Sequence, residues 1–250
     1  MTRHVLTDAQ WAIIEPFCLG KATDPVQTGR ASRLFMEAVL WIVRTDAQWR
    51  ELPVEFGKWN SVFKRFRRWV KADAFYNMFR TLAADADFEY AMIDGSIVKA
   101  HCSNQGAKGG PQSQAIGPSR GGMTTKIVVL TDALGNVVYF RLLPGQAHDL
   151  RGVPELTDTL TADHLLADRA FDADWLRTAL FEQSITPVIP PKPNRRFPAE
   201  FDKETYNWRH LIENYFGKPK ENRGIAMRSC KTDQSFKAFI ALAAFIIQLR

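Results

Sequence analysis

The sequence predicts an α/β protein that begins with an all-α region, and three observations support this. Apolar residues recur at helical spacing throughout residues 1–85. From residue 86 onward, strand-like and helical segments alternate. The 250 residues are 46% hydrophobic and 24% charged, which is typical of a folded chain with one large core or two smaller ones. We therefore expect a helical region at 1–85 and a second domain at 86–250.

The amino-terminal region contains three predicted helices. Thr7–Gln10 has the form of a capping box that opens the first helix. The second helix spans Arg33–Arg44, and the third spans Trp59–Val70 after a break in the chain. The third helix is apolar on one face and basic on the other. This pattern favours a helix-turn-helix-like arrangement, although a plain helical bundle fits almost as well.

The second domain starts with a strand and a hairpin, which lead into helices and strands in alternation. Residues 103–122, rich in Gly, Ser and Gln, are expected to form a flexible loop. The order β, ββ hairpin, α, β, α, β, α predicts a ribonuclease H-like mixed sheet with covering helices. The segments are a strand at Glu89–Val98, a hairpin at Lys126–Leu143, an amphipathic stretch at Asp149–Leu160, a strand at His164–Asp168, a helix capped by Asp172 or Asp174, a strand at Thr186–Pro190, and a buried helix from Ser235 onward.

Charge is distributed unevenly along the chain, whose net charge is +6. Lys58–Lys71 contains six bases and no acid, and between Lys192 and Lys231 bases outnumber acids ten to five. Between Gly145 and Thr186 acids outnumber bases eight to three. Basic regions on both sides of an acidic one suit a metal held beside a phosphate, so we expect DNA as the partner. Solvated helix faces are the alternative explanation.

Several classes of protein and site are disfavoured. The three cysteines are scattered without a C-x-x-C pair, which argues against a disulfide framework or a zinc ribbon. Neither a phosphate-binding glycine loop nor a nucleophile elbow occurs, and the histidines lack metal-ligand spacing. We expect no nucleotide cofactor. The start of the chain lacks an apolar stretch and no run is long enough to span a bilayer, so a cytoplasmic protein without membrane association is expected.

Three acids are not explained by local patterning. Asp94 interrupts an apolar strand. Asp168 is the last residue of the predicted strand His164–Asp168, and Glu213 lies on a predicted helix. Hard oxygen ligands that converge above a sheet suit Mg²⁺, for which Mn²⁺ would substitute. Structural alternatives remain open: Asp94 bonded to a neighbouring amide, Asp168 paired with Arg169, and Glu213 in a surface ion pair with Arg209.

A stripe of side chains surrounds Glu213. Tyr206, Arg209, Glu213 and Lys220 lie at i, i+3, i+7 and i+14, which on one helix is a line about 21 Å long. Its two bases would hold phosphates on either side of the bond on which two metal ions act. Pro219 interrupts the stripe, where a proline removes a helical hydrogen bond and can kink the axis and displace Lys220.

These motifs resemble one known family. "MIDGS", "LLADRAFDAD" and Tyr206-x2-Arg209-x3-Glu213-x6-Lys220 resemble the DDE transposases of bacterial insertion sequences with the Y-R-E-K signature, of the insertion-sequence-five type. The resemblance extends to "SRGGMTTKI", "GQAHDLRG", "PVIPPKPNRR" and "WRELPVEFGKWNSVFKRFRRW", and so covers most of the chain.

The resemblance implies a metal-dependent enzyme that nicks the ends of an insertion sequence and joins the 3′-hydroxyls to target DNA. It implies Asp94, Asp168 and Glu213 as the catalytic metal ligands, with two Mg²⁺ ions per site. It also implies a homodimer or higher oligomer on double-stranded DNA, associated with the nucleoid when bound. A catalytically inactive or domesticated regulator and a ribonuclease H-like nuclease are the alternatives. The predicted DNA-binding residues are Tyr206, Arg209, Lys220, Lys64, Arg65, Arg67, Arg68, Arg120 and Lys126.

Overall fold

The amino-terminal region is helical, as predicted. The computed structural model describes residues 6–20, 31–83, 86–102, 114–158 and 160–249. Thr7 and Gln10 form the expected capping box, in which the Thr7 hydroxyl accepts a hydrogen bond from the Gln10 N–H at 3.2 Å. The helices are α1 (Asp8–Ile14), α2 (Ser32–Thr45), α3 (Trp59–Lys71) and α4 (Ala74–Leu82).

The remaining elements form one mixed sheet and its helices. The strands are β1 (Tyr90–Ala100), β2 (Gly117–Ser119), β3 (Gly122–Thr131), β4 (Val137–Pro144), β5 (His164–Ala167), β6 (Thr186–Val188) and β7 (Met227–Arg228). The helices are α5 (Pro154–Thr157), α6 (Asp174–Glu182), α7 (Lys203–Tyr206), α8 (His210–Lys220), α9 (Arg223–Ala226) and α10 (Asp233–Gln248).

The strand order confirms the ribonuclease H-like prediction. The central order is β4-β3-β1-β5-β6, in which β3 runs antiparallel to both β1 and β4, while β5 and β6 run parallel to β1. Parallel neighbours need a crossover connection, and the segments between β1, β5 and β6 provide it. The carboxyl ends of β1 and β5 therefore point the same way, toward one edge of the sheet.

Part of the predicted flexible loop is ordered. Residues 103–113 lie outside the described residues. Within 114–122, however, β2 pairs antiparallel with the start of β3, so these residues are not the loop that their composition predicts. The side chains of Ala115 and Ile116, between Gln114 and Gly117, are buried. The burial of these two apolar side chains favours an ordered hairpin over a solvated loop.

The predicted cap of α6 is also wrong. The residue before α6 is Ala173, which makes no side-chain cap, and Asp174 is the first residue of the helix. Asp172 is buried and accepts hydrogen bonds from the side chains of Arg177 and Arg195 and from the Lys192 N–H. These three donors account for the carboxylate that sequence patterning assigned to a cap.

The helix α10 is buried, as its apolar sequence predicts, and it joins the two halves of the chain. Phe239 of α10 packs on Phe66 of α3, with ring centroids 5.6 Å apart. Phe79 of α4 packs on Phe140 of β4 at the same centroid distance of 5.6 Å. One continuous core therefore includes side chains from both halves. The domain boundary at residue 85 stays a prediction.

No helix within the described residues is long and apolar enough to cross a membrane.

Candidate active site

The sheet register brings the two aspartates together. Tyr90–Ile93 of β1 pair in parallel with His164–Ala167 of β5, and the last pair is Ile93 with Ala167. Asp94 is the next residue of β1, and Asp168 directly follows the last residue of β5. Adjacent strands lie about 4.8 Å apart and residues in register share a face, so both side chains belong to the same patch of the sheet. Met92 identifies this face, because it packs against Ile212 of α8.

Each aspartate is fixed by a backbone hydrogen bond. Asp94 Oδ1 accepts one from the Gly95 N–H at 2.7 Å. Asp168 Oδ1 accepts one from the Ala170 N–H at 2.8 Å and caps the short 3-10 turn that follows β5. The amide bond expected as the structural alternative for Asp94 is thus present, and it leaves the second carboxylate oxygen for another partner. For Asp168, the expected ion pair with Arg169 is replaced by this turn.

Glu213 reaches the same patch from the first turn of α8. A carboxylate is favoured there because the amino end of a helix carries a partial positive charge. Arg209 Nη1 donates to Asp94 Oδ2 at 3.0 Å, and its Nη2 donates to Glu213 Oε1. The surface ion pair between Arg209 and Glu213 is therefore present, but the same guanidinium also connects the helix to the sheet. The side chains of Arg209 and Asp94 are each 16% exposed, whereas that of Glu213 is 53% exposed.

The electrostatics of Asp94 reflect its burial. Desolvation raises the pKa of Asp94 above its ordinary value, and the nearby charge of Asp168 acts in the same direction. The Gly95 N–H and the Arg209 guanidinium act against this rise. For Arg209, burial works to lower the pKa, but the charges of Asp94, Tyr206, Glu213 and Asp168 outweigh it and raise the pKa. All three carboxylates thus act on one cation.

The three carboxylates are chemically suited to a divalent cation, but two of them, Asp94 and Glu213, are bonded to Arg209. Asp94, Asp168 and Glu213 supply the hard oxygen ligands that Mg²⁺ and Mn²⁺ prefer. Within the part of the chain that the structure describes, no group of three or more acidic, histidine or cysteine side chains is arranged to hold a metal ion. The Arg209 guanidinium, bonded to both Asp94 and Glu213, supplies the positive charge between these two acids. A metal ion bonded to the same carboxylate oxygens would compete with this guanidinium.

Lys220 is not displaced by the proline before it. Helix α8 continues through Pro219 to Lys220, and Pro219 lies in the last turn with its ring buried. The Lys220 ammonium donates to the hydroxyl of Ser96, two residues along β1 from Asp94 and on the same face of the strand. Pro219 therefore does not remove Lys220 from the neighbourhood of Asp94. A proline in the last turn costs one helical hydrogen bond but interrupts no following turn.

Tyr206 lies beside the site without contacting the acids through a hydrogen bond in the described structure. Its ring packs edge-on against Phe201, with centroids 5.6 Å apart. The Arg209 guanidinium carbon lies 5.8 Å from the centre of the Tyr206 ring. Tyr206 therefore supports the position of Arg209 through a cation–π contact.

Two predicted DNA-binding residues are engaged elsewhere. Lys126 is buried on the opposite face of the sheet, where its ammonium contacts the Ala147 carbonyl oxygen at 2.8 Å and Asp149 Oδ1 at 2.9 Å. Arg65 packs its guanidinium on the Phe35 ring, 4.4 Å from the ring centre. The charged groups of Lys126 and Arg65 are thus used in internal contacts, which a DNA phosphate would have to replace, and their DNA-binding role stays a prediction.

The other predicted bases keep their positions on the surface. Lys64, Arg67 and Arg68 are exposed on α3, although Arg67 also donates to the Ser235 hydroxyl at 3.1 Å. Arg120 is exposed in the turn between β2 and β3. These four residues remain available for a role on DNA.

Sequence reasoning missed two features of the site. Ser96 lies on the same strand face as Asp94, and the period-2 alternation of a strand is enough to place it there. Gly95 lies between them and faces the other side, where a β-carbon would come within 2.6 Å of Asp149 Oδ1. The small residue therefore leaves room for the ion pair of Asp149 with Lys126. No local signal in the sequence indicates that pair.

Two family models cover most of the chain. Residues 6–79 match the model described as a putative transposase of the IS4/5 family. Residues 89–249 match the model described as a transposase DDE domain.

Two individual relatives match about half of the chain, and one of them is named a transposase. The chain is 36% identical over 130 residues to a putative transposase for insertion sequence element IS6501 of Brucella ovis, a match covering 51% of this chain and all of that protein. It is 37% identical over 113 residues to the uncharacterized protein y4sN of Sinorhizobium fredii, covering 44% of this chain and 90% of that protein.

Among solved structures, the chain is similar to the Mos1 strand transfer complex, with 14% identity, a TM-score of 0.29 and 87% of each chain covered. It is also similar to the Mos1 paired-end complex with Mn, with 14% identity, a TM-score of 0.25, and 88% of this chain and 89% of that chain covered.

Proposed function

Since this chain belongs to the DDE transposases of the IS4/5 group, which are metal-dependent enzymes, we propose that Asp94, Asp168 and Glu213 are its catalytic residues. The protein binds the terminal inverted repeats of an insertion sequence, hydrolyses phosphodiester bonds at the ends and joins the 3′-hydroxyls to target DNA. One observation carries the proposal: the register of β1 and β5 puts Asp94 beside Asp168, and Arg209 ties Glu213 to the same point.

The three acids would hold two Mg²⁺ ions, with Mn²⁺ as a substitute. When bound, such ions activate the attacking oxygen and stabilise the leaving oxygen of an in-line displacement. The chain itself contributes position and charge. Asp94 and Asp168 are held by backbone N–H groups, so the first two ligands are aligned before a substrate arrives. Glu213 is the most exposed of the three and has the greatest freedom to adjust.

DNA would lie across α8 and the exposed face of α3. Lys220 reaches the strand that carries Asp94, and Arg209 contacts Asp94 itself, so a phosphate bound by both would be held over the acids. Tyr206 orients Arg209. Lys64, Arg67, Arg68 and Arg120 would contact phosphates farther along the duplex, and such contacts give affinity without sequence preference. A homodimer or higher oligomer would hold two ends together.

The test compares the three acids on DNA that carries the element's ends. Asp94→Ala, Asp168→Ala and Glu213→Ala should each abolish nicking and strand transfer in Mg²⁺ while DNA binding persists. Asp174→Ala is a matched control, because Asp174 is an exposed acid at the start of α6 that, within the described residues, pairs with Arg195 and with none of the site residues. Full strand transfer by Glu213→Gln would contradict the role of Glu213 as a metal ligand.

The same assay separates the two alternatives. Specific binding to the inverted repeats without nicking in any divalent ion would identify a regulator. Equal cleavage of DNA that lacks inverted repeats would identify a general nuclease. Inverted repeats and short direct duplications around the gene would favour the transposase.

A further inference from the structure

Arg209 lies at the point where the carboxylates of the site converge. Its two terminal nitrogens bond different acids on different elements, Asp94 of β1 and Glu213 of α8. The third acid, Asp168, acts electrostatically on both Arg209 and Asp94. One planar cation therefore neutralises a cluster of acids to which the proposed function assigns metal ions.

Burial favours a cation beside Asp94 whether or not metal is bound. Asp94 is largely withdrawn from water, and a desolvated carboxylate without a partner costs several kcal/mol or is neutralised by protonation. The guanidinium provides the compensating charge in the absence of metal. In this state of the protein, the described residues contain no group of three or more acidic, histidine or cysteine side chains arranged to hold a metal ion. The same carboxylate oxygens cannot serve both cations fully.

The guanidinium can leave without a change in the backbone. Arg209 is the last residue of a short 3-10 turn, Asn207–Arg209, immediately before α8. Its contacts with Asp94, Glu213 and Tyr206 are all made by the end of the side chain. Rotation of a long side chain breaks them while the helix stays in place. A phosphate would be a strong competing partner, since guanidinium binds phosphate with two parallel hydrogen bonds.

We propose that Arg209 is an internal counter-cation that fills the place of a divalent ion in the DNA-free protein and transfers to a DNA phosphate when DNA binds. The transfer leaves Asp94 and Glu213 free for metal, so DNA binding and metal binding at this site strengthen each other. Because such coupling is reciprocal, metal also raises the affinity for DNA by the same factor. The inference depends on the proposed metal role of Asp94 and Glu213 and assigns a second state to Arg209.

The first test measures Mn²⁺ binding to the full-length, DNA-free protein by electron paramagnetic resonance of free Mn²⁺. Arg209→Gln should bind Mn²⁺ at least about tenfold more tightly than wild type, because a competing charge within a few ångströms is removed. Arg33→Gln is the matched control. It removes the same charge from a surface ion pair with Asp8, and its affinity should change less than about twofold.

The second test adds DNA. A short duplex with the element's end should tighten Mn²⁺ binding in wild type, after subtraction of Mn²⁺ bound by the duplex alone, and should have little further effect in Arg209→Gln. Arg209→Lys should give an intermediate Mn²⁺ affinity in the absence of DNA, since an ammonium keeps the charge but lacks the fork that bridges two carboxylates. If circular dichroism shows that Arg209→Gln does not fold, the Mn²⁺ affinity of Arg209→Lys tests the counter-cation role of Arg209 instead.

The outcomes distinguish this inference from the proposed function. Asp94→Asn should lose the Mn²⁺ site in both the wild-type and the Arg209→Gln background. If no Asp94-dependent Mn²⁺ binding exists in any variant, the proposed metal site is wrong. If that binding exists but Arg209→Gln and Arg209→Lys bind Mn²⁺ no more tightly than wild type, only the counter-cation role is overturned.

Discussion

Asp94 is a carboxylate in a position that does not favour its charge. It lies on a strand between apolar residues, and burial raises its pKa. A carboxyl whose pKa is higher in the folded than in the unfolded protein opposes folding once it is ionised. This opposition is present at neutral pH and disappears as the pH falls through the folded-state pKa. Stability therefore does not account for an ionised acid at this position, which agrees with the proposed catalytic role of Asp94.

The first prediction concerns Asp94→Asn. We expect nicking to fall by at least about a thousandfold, since metal-assisted stabilisation supplies several kcal/mol. The melting temperature at pH 7 should equal or exceed that of wild type, because the buried charge is removed and Arg209 keeps Glu213 as a partner. The gain should shrink toward acidic pH. Melting curves at several pH values check this, and a marked loss of stability at pH 7 would contradict it.

Asp172 provides the opposite case. Burial by itself would raise its pKa, but the hydrogen bonds from the Lys192 N–H and Arg177 lower it overall. The carboxylate therefore stabilises the fold above its unfolded-state pKa, and this stabilisation is lost as the pH falls through the folded-state pKa. Asp172→Asn should lower the free energy of unfolding by about 3–5 kcal/mol, the usual result of breaking a buried ion pair. Urea unfolding at pH 7 measures it, and a neutral result would contradict the assignment.

Some of these residues were predictable from the sequence and others were not. Asp94 stands out because an acid inside an apolar run requires compensation, and Asp168 because it ends a strand. No local sequence pattern indicates that Asp172 accepts hydrogen bonds from donors up to 23 residues away. Nor does one indicate that the Lys126 side chain lies next to Gly95. Those contacts arise from the tertiary fold.

At the scale of elements, α3 shows that a basic helix face is not uniform. Helical periodicity predicts the bounds of α3 within one residue, Trp59–Lys71 against the expected Trp59–Val70. It does not predict that Arg65, at the border of the two faces, turns inward. There it contacts Phe35 and donates to the Ser32 hydroxyl at 2.9 Å. Its neighbour Lys64 stays exposed.

We therefore predict different effects for these two neighbours. Arg65→Ala should lower the free energy of unfolding by about 1–2 kcal/mol through lost cation–π and hydrogen-bond contacts, with little change in DNA affinity. Lys64→Ala should leave stability within about 0.5 kcal/mol and reduce the salt dependence of DNA binding by about one unit of log-log slope. Urea unfolding and binding at several salt concentrations check both. An unchanged slope for Lys64→Ala would assign that side chain to solvent.

Helix α8 shows that a proline in the sequence does not always break a helix. Proline inside a helix usually breaks it, yet Pro219 follows most of α8 and only Lys220 comes after it within the helix. The position of the proline within the element decides its effect. That position depends on where the helix ends, which is the least certain part of a sequence-based assignment.

At the scale of the whole molecule, the amino-terminal helices and the sheet are joined by a common core. Beyond the aromatic contacts of α10, helix α9 approaches α2 closely at Gly224, where a β-carbon would lie 2.9 Å from the Val43 carbonyl oxygen. Alternation of strands and helices predicts the sheet correctly. The change from all-α to α/β in the sequence suggests two separate units, because periodicity carries no information about which apolar faces pack together.

The final prediction follows from this core. Unfolding should be a single transition, in which tryptophan fluorescence, with five of the seven tryptophans in residues 1–85, coincides with far-ultraviolet circular dichroism. Gly224→Ala should shift both signals together and lower the free energy of unfolding by about 1–3 kcal/mol, because α2 and α9 must separate. Fluorescence that changes before circular dichroism, or shifts alone in the variant, would indicate independent units.

The position of α10 between the two halves also limits how such an enzyme can acquire new recognition properties. In a chimera whose helices α1 to α4 come from a relative, these helices would not fit the aromatic side chains of α10 and β4. The resulting cavities or clashes would destabilise the chimera. If α3 contacts DNA phosphates as proposed, DNA affinity is therefore changed more readily by exchanging exposed side chains such as Lys64 and Arg68, one at a time, than by recombining whole segments between genes.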